Sequence, residues 1–338
     1  MDLYPLLRPL LFALPPEFAH ALTLRSLQLA HRLHLLPLAI HFDSDPVTLA
    51  GLKFPNRLGL AAGFDKNGRY VDALGSLGFG FIEIGTVTLR PQSGNRKPRV
   101  LRLRQDQSLI NRMGFPNDGQ EIVAKHLVQR RYRGICGVNI GKNANIPLDA
   151  ATGDYIACLR ALHRCADYVA INISSPNTAE LRRLQHGERL RSLLNALVET
   201  RATLQRETQR LVPLFVKVSA DLSDDELSDA AHSAIRCGID GVIATNTTVM
   251  RDGLADENRN IEGGLSGPPL LARALHAVRC IRATVGCGMP IIGVGGVMST
   301  ADALAMRKAG ADLVQIYTGL VYRGPALVRQ IVRTLANA

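Results

Sequence analysis

Short apolar runs alternate with longer segments of helical periodicity along most of the chain. Segments 190–204 and 301–308 are examples of the predicted helices. Strands that are apolar on both faces are typical of buried parallel sheets, so the pattern favours a (β/α)8 TIM barrel of the α/β class over an open doubly wound sheet. The predicted strands are 57–64, 81–87, 137–141, 168–174, 214–219, 241–246, 290–296 and 313–318.

Two connections between predicted strands are too long for simple crossovers: residues 88–136 and 247–266. Long segments of this kind in a compact domain are usually lids or binding loops. Each follows the carboxyl end of a predicted strand, where barrel enzymes build their sites. We therefore expect both segments to lie over a functional site.

Composition limits the compartment and the class of protein. With 338 residues and 46% hydrophobic residues the chain can bury a large core, and no apolar stretch is long and uncharged enough to predict a spanning helix. Six cysteines are scattered without metal-ligand spacing, and the first residues lack the features of a signal peptide. These features predict a reduced, cytosolic compartment and no metal site.

The formal charge of +11 is partly clustered, with six arginines and lysines between Arg90 and Arg104 and four arginines between Arg182 and Arg191. Such clusters are most often solvated surface, and they also suit an anionic membrane or a small anionic substrate. The sequence has no tryptophan, no basic stretch interleaved with aromatics and no zinc-finger spacing, so nucleic acid is the least favoured partner.

Every predicted strand ends in polar or glycine residues, and in a barrel these ends meet on one face. Each ending alone could be a helix cap or a turn, but eight together predict one polar pocket. Gly295, Gly296, Tyr317 and Thr318 follow the last two strands, where barrels commonly bind phosphate, so they predict a phosphorylated cofactor. The expected pocket has amides, hydroxyls and lysines but no carboxylate pair and no histidine, which argues against hydrolysis by a catalytic triad.

The order of motifs resembles that of the dihydroorotate dehydrogenases from about residue 46 to near the C-terminus. The motifs are AAGFDK (61–66), EIGTVT (83–88), INRMGF (110–115), NIGKN (139–143), INISSPNT (171–178), ATNTT (244–248), GGLSG (263–267), IIGVGG (291–296) and VQIYTG (314–319). The resemblance implies an FMN-dependent enzyme that oxidises (S)-dihydroorotate to orotate in the synthesis of UMP. Serine at position 175, where soluble members have cysteine, and an N-terminal helical extension both resemble the quinone-linked branch.

The resemblance also implies roles for individual residues. Ser175 would be the catalytic base, assisted by desolvation, by Thr247 or by water near Phe115. Lys217 would stabilise negative charge on the reduced flavin, although pairing with a core acid is the alternative for a buried lysine. Substrate would be held by Lys66, Asn111, Arg112, Met113, Gly114, Phe115, Asn172, Asn177, Asn246 and Thr247. FMN would be held by Ala62, Gly63, Phe64, Asp65, Lys66, Thr86, Asn139, Asn172, Lys217, Thr245, Gly267, Gly296, Tyr317 and Thr318.

Residues 1–45 form a predicted extension to a barrel of residues 46–338. Leucines and Phe18 recur at helical spacing there, and Pro15-Pro16 divides two helices, the first of two or three turns. The extension is either a cap under the barrel floor or an amphipathic hairpin that lies on an anionic membrane surface and guides a quinone to the flavin. In the second interpretation Arg102 and Tyr317 line the passage, and the protein is a peripheral monomer on the cytoplasmic side of the cell membrane.

Three alternatives to this function remain open from the sequence. One is a dihydroorotate dehydrogenase with a soluble electron acceptor. Another is a different FMN barrel reductase, for instance one that acts on RNA uridine. The third is a pyrimidine- or nucleic-acid-binding protein without catalytic activity.

Overall fold

The computed structural model describes residues 3–36, 45–178, 180–255, 257 and 260–338. Its strands are β1 (Val47–Leu49), β2 (Leu52–Phe54), β3 (Leu58–Leu60), β4 (Phe81–Val87), β5 (Val100–Leu103), β6 (Ser108–Asn111), β7 (Ile135–Ile140), β8 (Tyr168–Asn172), β9 (Leu214–Val218), β10 (Gly241–Ala244), β11 (Gly264–Ser266), β12 (Ile291–Val294) and β13 (Leu313–Ile316). Its helices are α1 (Tyr4–Ala13), α2 (Pro16–Arg32), α3 (Val71–Gly75), α4 (Gln120–Val128), α5 (Ala151–Leu162), α6 (Gly187–Thr208), α7 (Asp224–Cys237), α8 (Leu271–Val285), α9 (Thr300–Lys308), α10 (Thr318–Arg323) and α11 (Ala326–Ala336).

Eight parallel strands close into a barrel in the order β3-β4-β7-β8-β9-β10-β12-β13, which confirms the predicted fold class. Each barrel strand lies within a predicted run or overlaps most of it, and α6 and α9 contain the two predicted helical segments. All of the barrel strands except β4 end earlier than predicted. The run 57–64, for example, leaves the sheet after Leu60, because Ala61 to Lys66 turn inward and Gly63 adopts a positive φ of 97°.

The core has two layers that follow from burial on both faces of the strands. Outside the barrel, strand residues pack against the surrounding helices in one large apolar cluster. Inside its amino-terminal end, Phe54 of the β1–β2 hairpin packs with Phe81, Tyr168 and Phe215. The hairpin therefore closes the barrel floor, and the interpretation of the N-terminal helices as a floor cap is wrong.

The two long connections meet over the carboxyl ends of the strands. The first contains β5, β6 and α4, and the second contains β11. These three strands form an antiparallel sheet in the order β11-β6-β5, with Gly264 opposite Asn111. The predicted position over the site is confirmed, and much of each connection is regular structure.

The N-terminal helices α1 and α2 divide at Pro15-Pro16 as predicted, and α1 has ten residues with Pro9 inside it. Residues 1–2 and 37–44 of the predicted extension lie outside the described residues. Among the helices that the structure describes, none has the length and apolar character needed to cross a membrane.

Arginines of the basic stretch fasten α1 and α2 to the β5–β6 hairpin. Arg99 pairs with Glu17 at 3.0 Å between Nη2 and Oε1. Arg102 donates from Nη1 to the carbonyl of Leu14 at 2.7 Å, and Arg104 donates from Nη2 to that of Phe12 at 2.5 Å. Arg99 is buried and Arg102 is half-buried, so the solvated-surface interpretation is wrong for these two. Arg104 is exposed and bonds to the helical extension from the surface.

Candidate active site

The carboxyl ends of the barrel strands open into one cavity of about 380 Å³. Its wall contains residues from the ends of β4, β8 and β9 and from the segments that follow β3, β10, β12 and β13. The sequence predicted this convergence, because parallel strands in a barrel end on the same face. The cavity has a polar end at the barrel and an apolar end at the helical extension.

The apolar end is built mainly by α1 and α2. Phe12, Ala19, Thr23, Leu24 and Leu27 line it, and side chains of the β5–β6 hairpin and of α10 complete the wall. We refer to the part of the cavity lined by α1 and α2 as the apolar passage. Arg102, which lies with its guanidinium carbon 4.7 Å from the centroid of the Phe12 ring, and Tyr317 are both in the cavity wall, as predicted for residues lining a passage.

Amide side chains at the polar end are held by one another. Asn172 donates from Nδ2 to Thr86 Oγ1 at 2.9 Å and to Asn139 Oδ1 at 3.1 Å. Asn246 donates from Nδ2 to Asn172 Oδ1 at 3.3 Å and to Ser174 Oγ at 3.0 Å. These bonds fix the orientation of each amide before any ligand is bound.

A second amide pair lies beside the first. Asn177 donates from Nδ2 to Asn111 Oδ1 at 3.0 Å, and Asn111 donates from Nδ2 to the carbonyl of Gly264 at 3.3 Å. The first contact joins the loop after β8 to the end of β6. The extra sheet thus contributes directly to the polar end of the cavity.

Ser175 lies in the cavity wall and is 5% exposed. Its Oγ accepts a hydrogen bond from the backbone N–H of Asn177 at 3.3 Å, and within the described residues this hydroxyl donates to no protein group. Its proton is therefore free to bond to a ligand or to water. Three residues further on, the Thr178 hydroxyl is buried and makes no hydrogen bond within the same part of the chain.

Lys217 reaches the cavity from β9 and is 5% exposed, with Nζ 3.6 Å from Oε1 of the fully buried Glu83. Glu83 also accepts from Asn139 Nδ2 at 2.8 Å, Tyr168 OH at 3.0 Å and Gln315 Nε2 at 2.8 Å. These three donors and Lys217 occupy both oxygens of the buried Glu83 side chain. Lys217 therefore has a core acid beside it and also faces the cavity.

Lys66 and His20 are adjacent to the cavity and have lowered pKa values. Desolvation lowers the pKa of Lys66 to about 8, against the attraction of Glu17, and Nζ donates to the carbonyl of Gly63 at 2.9 Å. Burial, together with the charge of Lys66, lowers the pKa of His20 to about 4, so its imidazole is neutral near pH 7. Its Nε2–H then donates to the carbonyl of Phe64 at 2.8 Å. The cavity wall thus holds an ammonium whose charge changes near physiological pH.

Backbone donors line the cavity where a phosphate was predicted. Gly296 and Thr318 are in the wall, and neither backbone N–H donates a hydrogen bond within the described residues. Gly296 has a φ of 74°, and a Cβ there would lie 2.5 Å from the backbone N of Leu271. Thr318 Oγ1 donates to Ser266 Oγ at 2.8 Å. This set of neutral donors without a carboxylate suits a phosphorylated ligand.

Most of the predicted site residues lie in the wall of this cavity. Asp65 and Asn139 are buried behind it, where Asp65 accepts from the backbone of Arg69 and Tyr70 and Asn139 bonds to Thr86 and Asn172. Arg112 lies in a separate surface pocket with Asn95, Arg251 and Glu262. Gly267 is not in the cavity wall but directly follows Ser266, which is. The wall contains Ala62, Gly63, Phe64, Lys66, Thr86, Asn111, Met113, Gly114, Phe115, Asn172, Ser175, Asn177, Lys217, Thr245, Asn246, Thr247, Gly296, Tyr317 and Thr318.

Sequence reasoning missed several residues of the site. Glu83 could have been found, because it is a lone charge within an apolar strand. Glu17 and His20 line the cavity, and the expected pocket contained no histidine. They come from the N-terminal helix α2, so the barrel pattern gave no signal for them. Ser266 belongs to β11 and reaches the cavity through pairing of the two long connections.

A closed barrel with a buried serine, oriented amides and a lysine at its carboxyl-end cavity defines an α/β-barrel enzyme. The family model for dihydroorotate dehydrogenase matches residues 46–338. Dihydroorotate dehydrogenase (quinone) from Chromobacterium violaceum is 51% identical over 337 residues, covering 99% of this chain and 98% of the relative. That from Acinetobacter baumannii is 46% identical over 334 residues, covering 98% and 99%.

The same family is found among solved structures. The dihydroorotate dehydrogenase of Eimeria tenella in complex with ferulenol has a TM-score of 0.87 and is 37% identical, covering 95% of this chain and 91% of that one. The chain belongs to the dihydroorotate dehydrogenase family, in its quinone-dependent branch. It is therefore an oxidoreductase of pyrimidine biosynthesis from a family of flavoenzymes, with dihydroorotate as substrate and a quinone as acceptor.

Proposed function

We propose that this protein uses FMN to oxidise (S)-dihydroorotate to orotate at the polar end of the cavity and passes the electrons to a membrane quinone at its apolar end. The observation that carries the proposal is the continuity of the two ends in one cavity. An enzyme that accepts electrons from a charged, soluble substrate and gives them to a lipid needs access of both kinds. The apolar passage favours this acceptor over a soluble one.

The oriented amides would bind the pyrimidine ring. Its edge alternates N–H and C=O groups, and an asparagine amide matches both. Asn111, Asn172, Asn177 and Asn246 line the polar end and are held by bonds to neighbouring side chains. Lys66 would pair with the carboxylate of the substrate, together with backbone of the segment 112–115.

Ser175 would take the proton from the ring carbon next to the carbonyl, where the hydrogen is most acidic. Its Oγ already accepts from the N–H of Asn177, which helps to stabilise developing negative charge on the oxygen. Burial of Ser175 keeps bulk water away from that proton. Thr247, also in the cavity wall, or a water molecule near Phe115 would receive the proton next.

FMN would be held by residues at the carboxyl ends of seven of the eight barrel strands. When bound, the flavin supplies the acceptor for the hydride that leaves the neighbouring ring carbon. The N–H groups of Gly296 and Thr318 would bind its phosphate, together with Gly267. Lys217 would offset negative charge on the ring system, while Glu83 keeps that lysine in place. Ala62, Gly63, Thr86, Asn139 and Thr245 would complete the site.

We infer peripheral attachment of a monomer to the cytoplasmic side of the cell membrane through α1 and α2. Leu6, Leu10 and Phe18 are 74%, 68% and 59% exposed, although large apolar side chains are normally buried. Such a surface suits insertion at the lipid boundary. The same two helices line the apolar passage, so a quinone would enter directly from the membrane.

The role of Ser175 is tested by mixing the enzyme anaerobically with dihydroorotate and following the loss of flavin colour. Ser175→Ala should retain FMN and bind orotate, but its flavin should be reduced roughly 10²- to 10⁴-fold more slowly, the usual contribution of a positioned base. Ser174→Ala is the comparison: its hydroxyl bonds to Asn246 and Asn172, so its loss should weaken the binding of orotate more than it slows flavin reduction at saturating dihydroorotate. Reduction of Ser175→Ala at the wild-type rate would remove this residue from the mechanism.

A further inference from the structure

One arginine outside the cavity wall joins the loops that carry Ser175 and Thr247. The chain after β8 continues into a 3-10 helix, Leu181–Gln185, which presents Arg182. Its Nε donates to the carbonyl of Ser174 at 3.2 Å, and its Nη2 donates to the carbonyl of Thr247 at 3.4 Å. The loops after β8 and β10 are thus held by one planar guanidinium.

The third arm of Arg182 reaches the loop after β9. Its Nη1 pairs with Asp221 Oδ2 at 2.9 Å, and the two side chains are 25% and 12% exposed. Asp221 also accepts from the backbone N of Val249 at 3.0 Å and from the hydroxyl of Thr248. The carboxylate therefore ties Arg182 to the same loop that carries Thr247.

A second contact supports this arrangement from the end of the 3-10 helix. Gln185 Oε1 accepts from the backbone N of Ser219 at 2.8 Å, and Ser219 Oγ accepts from the backbone N of Asp221 at 3.2 Å. The 3-10 helix is consequently anchored at both ends to the segment after β9. Arg182 has a fixed base from which to hold its two carbonyl partners.

We propose that Arg182 is a positioning residue for proton abstraction, with Asp221 as its support. It fixes the main chain one residue before Ser175 and at Thr247, so it sets the separation of the base from the threonine across the substrate. This role rests on the proposed function of Ser175. A guanidinium suits it, because its rigid fork of donors can bond in three directions at once, which an ammonium on a flexible stem cannot do with the same geometry.

The neighbouring residue gives a matched control. Arg183 lies on the same 3-10 helix, is 57% exposed and pairs with Glu180, three residues earlier in the chain. Arg183→Gln removes the same charge from the same helix and leaves the three loops joined. Dihydroorotate should therefore reduce the flavin of Arg183→Gln at the wild-type rate.

The test compares anaerobic flavin reduction at saturating dihydroorotate with the binding of orotate. Arg182→Gln should be reduced roughly tenfold to 10²-fold more slowly, the cost of a displaced reacting group, while its affinity for orotate stays near that of the wild type. The kinetic isotope effect should rise with substrate deuterated at the carbon that loses the proton, because proton transfer becomes slower relative to hydride transfer. Arg182→Lys should be intermediate.

Two results would overturn the proposal. One is reduction of Arg182→Gln at the rate of Arg183→Gln. The other is a slower rate with an unchanged isotope effect and an equal loss of orotate affinity, which is the signature of general damage to the site. If Arg182→Gln does not retain flavin, the same measurements are made on Asp221→Asn. Slower flavin reduction with a raised isotope effect in that variant supports the role of Arg182, and a wild-type rate and isotope effect contradict it. Failure of dihydroorotate to reduce the wild type would instead contradict the proposed function.

Discussion

At the scale of single residues, the polar end of the cavity is organised before ligand binds. Asn172 and Asn246 are bonded to each other and to the hydroxyls of Thr86 and Ser174, so little side-chain entropy is lost when they meet a ring. Desolvation brings the pKa of Lys66 to about 8.

Binding of orotate should weaken as the pH rises through about 8. The substrate carboxylate favours the protonated form of Lys66, which the free enzyme loses above that pH, so affinity should fall towards tenfold per pH unit. The measurement is the dissociation constant of orotate between about pH 7 and pH 9. Lys66→Arg is the control, since arginine stays charged throughout and its affinity should not depend on pH. A constant affinity of the wild type over this range would contradict the pairing of Lys66 with the carboxylate.

At the scale of elements, α1 and α2 present apolar side chains to two surroundings. Leu6, Leu10 and Phe18 face solvent, whereas Ala19 and Thr23 line the apolar passage. The Arg99–Glu17 pair and the bonds from Arg102 and Arg104 hold the helices against the β5–β6 hairpin. The solvent-facing side and the passage-lining side of these helices can therefore be tested separately.

Narrowing the apolar passage should slow reoxidation of the flavin by quinone and leave its reduction by dihydroorotate unchanged. Thr23→Phe adds bulk to its wall, so reoxidation of the reduced flavin by a long-chain quinone should slow roughly tenfold, as expected for ~1–3 kcal/mol of steric misfit. Reduction by dihydroorotate should not change. Leu22→Phe adds bulk to the preceding residue, which is 41% exposed and points away from this wall, and should behave as the wild type. Equal quinone rates in the two variants would show that quinone reaches the flavin by another route.

Placing a charge on the outward face should weaken membrane binding. Leu10→Glu replaces a side chain that is 68% exposed, and its affinity for anionic vesicles should fall roughly tenfold or more, since burial of a leucine contributes about 1.5–3 kcal/mol. Co-sedimentation with vesicles measures the change. Leu211→Glu is the control, because Leu211 is 47% exposed and lies between α6 and β9. Equal loss of binding in both variants would mean that net charge, rather than the apolar face, decides attachment.

The strands and most of the site could be predicted because they depend on local pattern. Continuous apolar runs gave the barrel, and the geometry of a barrel brings Ser175, Asn246 and Lys217 to one face. The extra sheet could not be predicted, since its three strands are short and β11 pairs with β6 across a large sequence separation. His20 was missed for a related reason: its position depends on how α2 packs against the barrel, which periodicity does not specify.

The partners of the arginines in the basic stretch could not be predicted from the sequence either. From the sequence, the basic stretch that contains Arg99, Arg102 and Arg104 was best explained as solvated surface, although the family resemblance placed Arg102 at the passage. In the fold they bond to Glu17 and to carbonyls at the junction of α1 and α2. Helix ends leave carbonyls without partners, and arginine side chains satisfy them, but the sequence does not show which arginine meets which helix end.

At the scale of the whole molecule, the chain combines a barrel that holds the polar chemistry with a helical extension that opens it to lipid. The β1–β2 hairpin closes the opposite end of the barrel, so the described cavity lies between the strand ends and the extension. Reduction and reoxidation of the flavin would then depend on different parts of one cavity.

A double-mixing experiment tests that separation most directly. The enzyme is first reduced anaerobically with dihydroorotate and then mixed with a long-chain quinone, while flavin absorbance follows each phase; for slow variants the first phase is replaced by chemical reduction. Ser175→Ala should slow reduction and leave reoxidation at the wild-type rate, and Thr23→Phe should do the reverse. If either variant slows both phases to the same extent, the two ends of the cavity do not act separately. Flavin reduction and reoxidation would then not be divided between them.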